Sequence, residues 1–148
     1  MKTYELTAET TIDRPAAHVW ELVADYANDS AWRTGVVTMT AAPPGLAAPG
    51  TRTVEELRFA GRTWRNLGEV GTVEPGVRFT WRTDSGADAA GARTVRATAP
   101  GRCLVRLELR LTPHGLERAV GPLLAYMLRR NLIRDLAALR ALAESGHV

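Results

Sequence analysis

The chain has one cysteine, Cys103, and one lysine, Lys2, in 148 residues. A single cysteine excludes an intrachain disulfide, and the expected setting is the reducing cytoplasm. Aromatic residues are sparse at 6%, two of them phenylalanine. No apolar run approaches the roughly 18 residues that a membrane-spanning helix needs. The opening "MKTYELTAETTI" has no apolar core of the kind a secretion signal carries. His18, His114 and His147 form no pair with ligand spacing, so no metal is expected. No glycine-rich phosphate loop follows a strand and no serine-centred nucleophile motif is present, so no resident cofactor is expected either.

What is abundant is arginine. It supplies all but one of the 19 basic residues, and the net charge is +3. The arginines are scattered, often at alternate strand positions, with Glu56, Glu74 and Glu108 among them. Together with the many alanines and glycines, this reads as the product of a GC-rich genome and a solvated outer face. A nucleic-acid partner is not expected. At 45% hydrophobic residues the chain can bury an ordinary core, and one domain over 1–148 is expected.

Residues 3–12 alternate as a strand, with Leu6, Ala8 and Ile12 on one parity. "DRPAAHVWELVADY" predicts a helix opened by Pro15, with Ala16, Val19, Trp20 and Val23 as its apolar face. "ANDSAW" breaks that helix and starts a second short one ending near Trp32. "VVTMTAAPPGLAAPGT" is a strand followed by a Pro/Gly loop. Strands follow at 51–59, 62–73, 77–83, 92–98 and 103–112, separated by turn signals, which predicts an antiparallel meander. From about Glu117 to Glu144 runs one helical pattern, with Leu124, Leu128, Leu132, Leu136, Leu139 and Ala143 in line and Gly146 just past its end. The predicted class is α+β: a curved antiparallel sheet of about seven strands covered by a long C-terminal helix, with two short helices after the first strand.

Three stretches carry a family likeness. "TTIDRPAAHVWELVADYANDSAW", "VEPGVRFTWR" and "GPLLAYMLRRNLIRDLAALRALAE" resemble the opening, the mid-sheet hairpin and the closing helix of the START-like helix-grip (SRPBCC) superfamily. Within it, the chain resembles the polyketide cyclase/dehydrase-like family. The resemblance implies a helix-grip fold and a cofactor-independent cyclase, aromatase or dehydratase acting on a small hydrophobic or polyketide-like ligand. It equally covers carriers and sensors of apolar ligands. A monomer or homodimer fits either role. An interaction module using the sheet surface is a third reading.

Turn lengths set which side chains share the concave face. The two-residue turn Ala60-Gly61 pairs Phe59 with Arg62, Leu57 with Trp64 and Glu55 with Asn66. Thr53, Glu55, Leu57, Trp64 and Asn66 then face inward. Gly68 and Gly71 mark a bulge. The "APG" turn pairs Ala97 with Cys103, Val95 with Val105 and Arg93 with Leu107, which turns Arg93 inward. The strand at 77–83 points Phe79, Trp81 and Thr83 inward, with Thr83 expected beside Arg93. The closing helix adds Tyr126, Met127 and Asn131.

Such a wall is apolar with a few convergent polar groups, as small-molecule sites are. Glu55 and Arg93 are the candidate catalytic residues. A carboxylate in an apolar pocket suits proton transfer, and a guanidinium suits an oxyanion. The structural alternatives are a buried Glu–Arg pair that satisfies itself, a Glu55 reaching solvent at the cavity mouth, or a misread register. Trp32, Trp64 and Trp81 either stack on a flat ligand or belong to the core. Cys103 reads as inert core.

Overall fold

The computed structural model describes residues 2–145; Gly146 and His147 lie outside the described residues. Strand β1 (Tyr4–Ile12) leads into α1 (Ala16–Ala24), a 3₁₀ turn (Tyr26–Asn28) and the one-turn helix α2 (Asp29–Trp32). Then come β2 (Val36–Ala42), β3 (Arg52–Phe59), β4 (Arg62–Glu74), β5 (Arg78–Ser85), β6 (Ala89–Ala99) and β7 (Arg102–Leu111). A 3₁₀ segment (Gly115–Val120) introduces the long helix α3 (Gly121–Ser145). Seven antiparallel strands form one sheet in the order β1-β7-β6-β5-β4-β3-β2. The architecture is the expected helix-grip fold.

Local chemistry sets the registers. Ala60 and Gly61 both adopt positive φ, at 54° and 74°, as a tight two-residue hairpin turn requires. Leu57 therefore stands opposite Trp64, and Glu55 opposite Asn66. Across the β6–β7 hairpin, Val95 faces Val105 and Arg93 faces Leu107. The β4–β5 register shifts at Leu67/Gly68 and again at Val70/Val73, where the two glycines sit. The β5–β6 turn differs from expectation. It is tighter, β6 starts at Ala89, and Gly86 takes φ 90°. Phe79, not Thr83, is thus the neighbour of Arg93, while the Thr83 hydroxyl bonds across the turn to Ala89 N and O.

Helix α3 is held unevenly. Leu136, Leu139 and Ala143 are buried, whereas Leu124, Leu128 and Leu132 are only half-buried. At the C-terminal end, Asp13 N donates to the Glu144 carboxylate and Arg14 Nε donates to Ala143 O. Helix α1 fills the sheet at that end with Val19, Trp20 and Val23. Beneath the N-terminal half of α3 the space between helix and sheet stays open.

Candidate ligand cavity

That open space consists of two adjoining chambers. The inner one, about 110 Å³, is walled by Tyr26, Trp32, Met39, Thr53, Arg93, Leu132 and Asp135 among others. The outer one, about 160 Å³, is walled by Leu57, Phe59, Trp64, Leu111, Leu124 and Leu128. Arg33, Glu55, Asn66, Trp81, Thr83 and Leu109 border both. Each is small beside the several hundred Å³ of a drug-sized site, and on the scale of a cavity that takes one benzene ring.

A chain of buried charges runs along the inner chamber. Arg93 donates to both oxygens of Asp29, at 3.0 and 2.8 Å, and to Val23 O at 3.0 Å. Its guanidinium also lies over the rings of Tyr26, Trp32 and Phe79. Arg33 bonds Asp29 at 3.0 Å on one side and Glu55 on the other. Glu55 in turn accepts from Asn66 Nδ2 at 2.9 Å, and Asn66 Oδ1 accepts from Ala87 N at 2.9 Å.

Glu55 and Arg93 share the concave face, as the registers require, but they are not partners. Arg33 and Asp29 stand between them. Arg93 is thereby committed to Asp29 and Val23. The guanidinium that borders both chambers belongs to Arg33, whose side chain is 21% exposed.

Protonation follows from these contacts. Burial pushes the Asp29 carboxyl up, but Arg93 and Arg33 outweigh it and hold Asp29 below the usual carboxylate range. Burial works against the Arg93 cation too, and Asp29 more than restores it. Burial raises the Tyr26 hydroxyl to about 12, with Arg93 opposing, so it remains a donor.

Asp135 behaves differently. It is 5% exposed on the cavity side of α3 and accepts Thr34 N at 2.6 Å. Burial raises its carboxyl, only partly offset by Thr34 and by the field of Arg33 and Arg93. The two arginines are already matched by Asp29 and Glu55, which leaves Asp135 as the excess acid. A carboxyl so placed suits proton transfer.

The remaining expected wall residues divide clearly. Trp32, Thr53, Leu57, Trp64, Asn66, Trp81 and Thr83 border the chambers. Phe79, Val95 and Val105 are fully buried in the core instead, because α1 and the Tyr26 turn fill their part of the sheet. Phe79 packs edge-on against Trp20 and Tyr26. Tyr126 is 58% exposed on the outer face of α3, under Arg130. Met127 and Asn131 are half-buried on its flank and border neither chamber. The inward stripe passes through Leu128, Leu132 and Asp135, about 100° further round the helix. The sequence reading missed Asp29, Arg33 and Asp135. For Asp135 the signal was there: an acid set among Leu132, Leu136 and Leu139.

A curled antiparallel sheet gripping a C-terminal helix over a cavity defines the START-like class. The chain belongs to the family described as polyketide cyclase / dehydrase and lipid transport, whose model matches residues 3–144. Among solved structures it is similar to the Zhui aromatase/cyclase from Streptomyces sp. R1128, with TM-score 0.83, 16% identity, and 99% of this chain and 100% of that chain covered. It is also similar to a START superfamily protein from Mycobacterium smegmatis, with TM-score 0.78, 11% identity, and 95% and 97% of the two chains covered. The di-domain ARO/CYC BexL from the BE-7585A biosynthetic pathway matches with TM-score 0.69 and 20% identity, over 95% of this chain and 46% of that one. No curated protein matches the chain by sequence.

Proposed function

We propose that the chain binds a small, largely apolar polyketide-like ligand in the two chambers and acts on it as a cyclase or dehydratase. The observation that carries this reading is Asp135, a buried acid with no cation of its own among the described residues, on the wall of a cavity inside a polyketide cyclase/dehydrase-family fold. Asp135 takes a proton from a carbon next to a carbonyl. The electron pair left behind forms the new carbon–carbon bond to a ketone carbon. The resulting oxyanion is stabilised by Arg33 and receives the proton back from Asp135. Glu55 is then a positioning residue that, with Asp29, fixes the Arg33 guanidinium. Expulsion of water follows the same route: one carbon loses a proton and its neighbour loses a hydroxyl, which leaves as water after protonation.

The test uses a synthetic poly-β-ketone thioester, with ring closure and loss of water read by mass spectrometry. Asp135→Asn is expected to cut turnover by roughly 10²–10⁴ while ligand binding persists. Full turnover in that variant would sink the assignment. The family description also names lipid transport. A carrier would show binding with no turnover in either form.

A further inference from the structure

The outward face of α3 is not the polar surface a solvated helix presents. Leu123, Tyr126 and Ile133 are exposed there, at helical spacing with Arg130 and Arg134. The stripe lies on the side of α3 turned away from Leu124, Leu128 and Leu132. The 3₁₀ segment just before the helix adds Val120 and Leu116, the latter 95% exposed. Single exposed leucines need no explanation, but a group of them marks a contact surface.

The charges around this face are of one sign. Glu117 is the one acid between residues 113 and 134, and it is already paired with Arg62. On the strands, by contrast, Arg52, Arg78, Arg82, Arg102, Arg106 and Arg110 each meet an acid. Arg118 and Arg134 meet none among the described residues, and Arg130 stacks on Tyr126. Lys2 and Arg118 also line an open groove with Leu116, Tyr4 and Pro113. Pro113 is shared with the wall of the outer chamber, so the groove adjoins its mouth.

The partner must therefore accept apolar side chains and carry negative charge. A lipid surface with anionic headgroups does both. Leucines and the tyrosine sink below the headgroups, while arginine stems lie along them and keep their guanidinium heads at the phosphates. No helix is long and apolar enough to cross a membrane, so such a contact is a docking on the surface. Its place beside the mouth fits too, because apolar ligands concentrate in lipid. We propose that the outward face of α3 and the preceding 3₁₀ segment dock the protein on an anionic membrane surface, with the outer chamber's mouth next to the lipid.

The test is sedimentation of the full chain with vesicles of equal parts phosphatidylglycerol and phosphatidylcholine, against phosphatidylcholine alone. Binding is expected on the anionic vesicles and is expected to weaken in salt. Arg130→Gln and Arg134→Gln are expected to weaken it roughly fivefold each, and Leu116→Ser and Leu123→Ser roughly tenfold each. All four side chains are exposed, so the urea midpoint is expected to stay unchanged. None of them borders either chamber, so the result is independent of the proposed chemistry. Leu116→Cys takes a polarity-sensitive dye selectively, since Cys103 is fully buried. Its emission is expected to shift blue on the anionic vesicles. No sedimentation, equal sedimentation with both lipids, or binding indifferent to the four substitutions would each overturn the docking surface. Sedimentation without a blue shift would mean contact through charge alone, as an acidic protein would make, and would overturn the lipid assignment.

Discussion

Arg93 grips Asp29 through two guanidinium nitrogens, and the two side chains are 6% and 0% exposed. The pair ties β6 to α2 beside the inner chamber, whose wall includes Arg93. Removing one partner of a buried pair strands the other, at a cost of about 3–5 kcal/mol. Arg93→Met is expected to lose stability on that scale in urea denaturation. Adding Asp29→Asn to it should recover part of the loss. A cost under about 1 kcal/mol for Arg93→Met would show that Arg33 alone suffices for Asp29.

Acid should act on the same pair. The Asp29 carboxyl is lower in the folded chain than its ordinary 3.8. Its contribution is present above that ordinary value and is lost as pH falls through the lower folded value. Unfolding free energy measured across the acid range should therefore drop more steeply in the unmutated chain than in Asp29→Asn. Parallel curves would contradict the assignment.

Asp135 has the opposite sign. Its folded carboxyl is raised above 3.8. The unfolded chain therefore ionises first as pH rises, and Asp135 disfavours folding once the pH passes through the raised value. Asp135→Asn is expected to match the unmutated chain in acid and to become the more stable of the two toward neutrality. The same denaturation series reads both effects. A gap that shrinks with rising pH would reverse the charge argument for Asp135.

Trp81 borders both chambers, and it lies against Gly91. A Cβ at Gly91 would sit 2.6 Å from Trp81 Cζ2 and would also meet Glu108 O. Gly91→Ala is thus expected to displace the indole or bend β6. Affinity for an aromatic probe should fall several-fold, together with a loss of stability of about 1–3 kcal/mol. Unchanged affinity would mean that Trp81 has room elsewhere.

At the outer mouth, His114 meets Asp88 at 2.7 Å and Arg62 meets Glu117 at 2.8 Å. Together they strap the 3₁₀ segment Gly115–Val120 and the turn before it to the β5–β6 loop and the first residue of β4. Exposed pairs contribute about 0–1 kcal/mol and weaken in salt. Arg62→Ala is expected to leave the melting temperature nearly unchanged and to speed probe exchange, as added salt does in the unmutated chain. Stopped-flow fluorescence would detect either effect. Exchange rates insensitive to both would remove these straps from the entry route.

The fold was legible because alternation and turn length determine a sheet almost by themselves. Ala60-Gly61 and "APG" set the pairing of Glu55 with Asn66 and of Arg93 with Leu107 without further information. The turn near Gly86 was misplaced because "DSGADAAG" permits several loop lengths, and that alone moved Thr83 away from Arg93. The charge network was illegible for a different reason. Asp29 and Arg33 come from a four-residue helix and its cap, too short for periodicity to show where its side chains point. Partnership across such a helix depends on tertiary placement, so whether Glu55 meets Arg93 stays open in the sequence without the residues between them. Asp135 is the opposite case: its place among Leu132, Leu136 and Leu139 is visible in the sequence, one turn beyond the polar Asn131.

The uneven hold on α3 divides labour along a single helix. Its last turns are clamped by Leu139, Ala143 and the bonds from Asp13 and Arg14, while its first turns roof the chambers with half-buried leucines. Substitutions at Leu124 or Leu128 therefore reshape the lining without loosening the clamp. The half of the helix that lines the chambers can change without touching the half that keeps the chain folded.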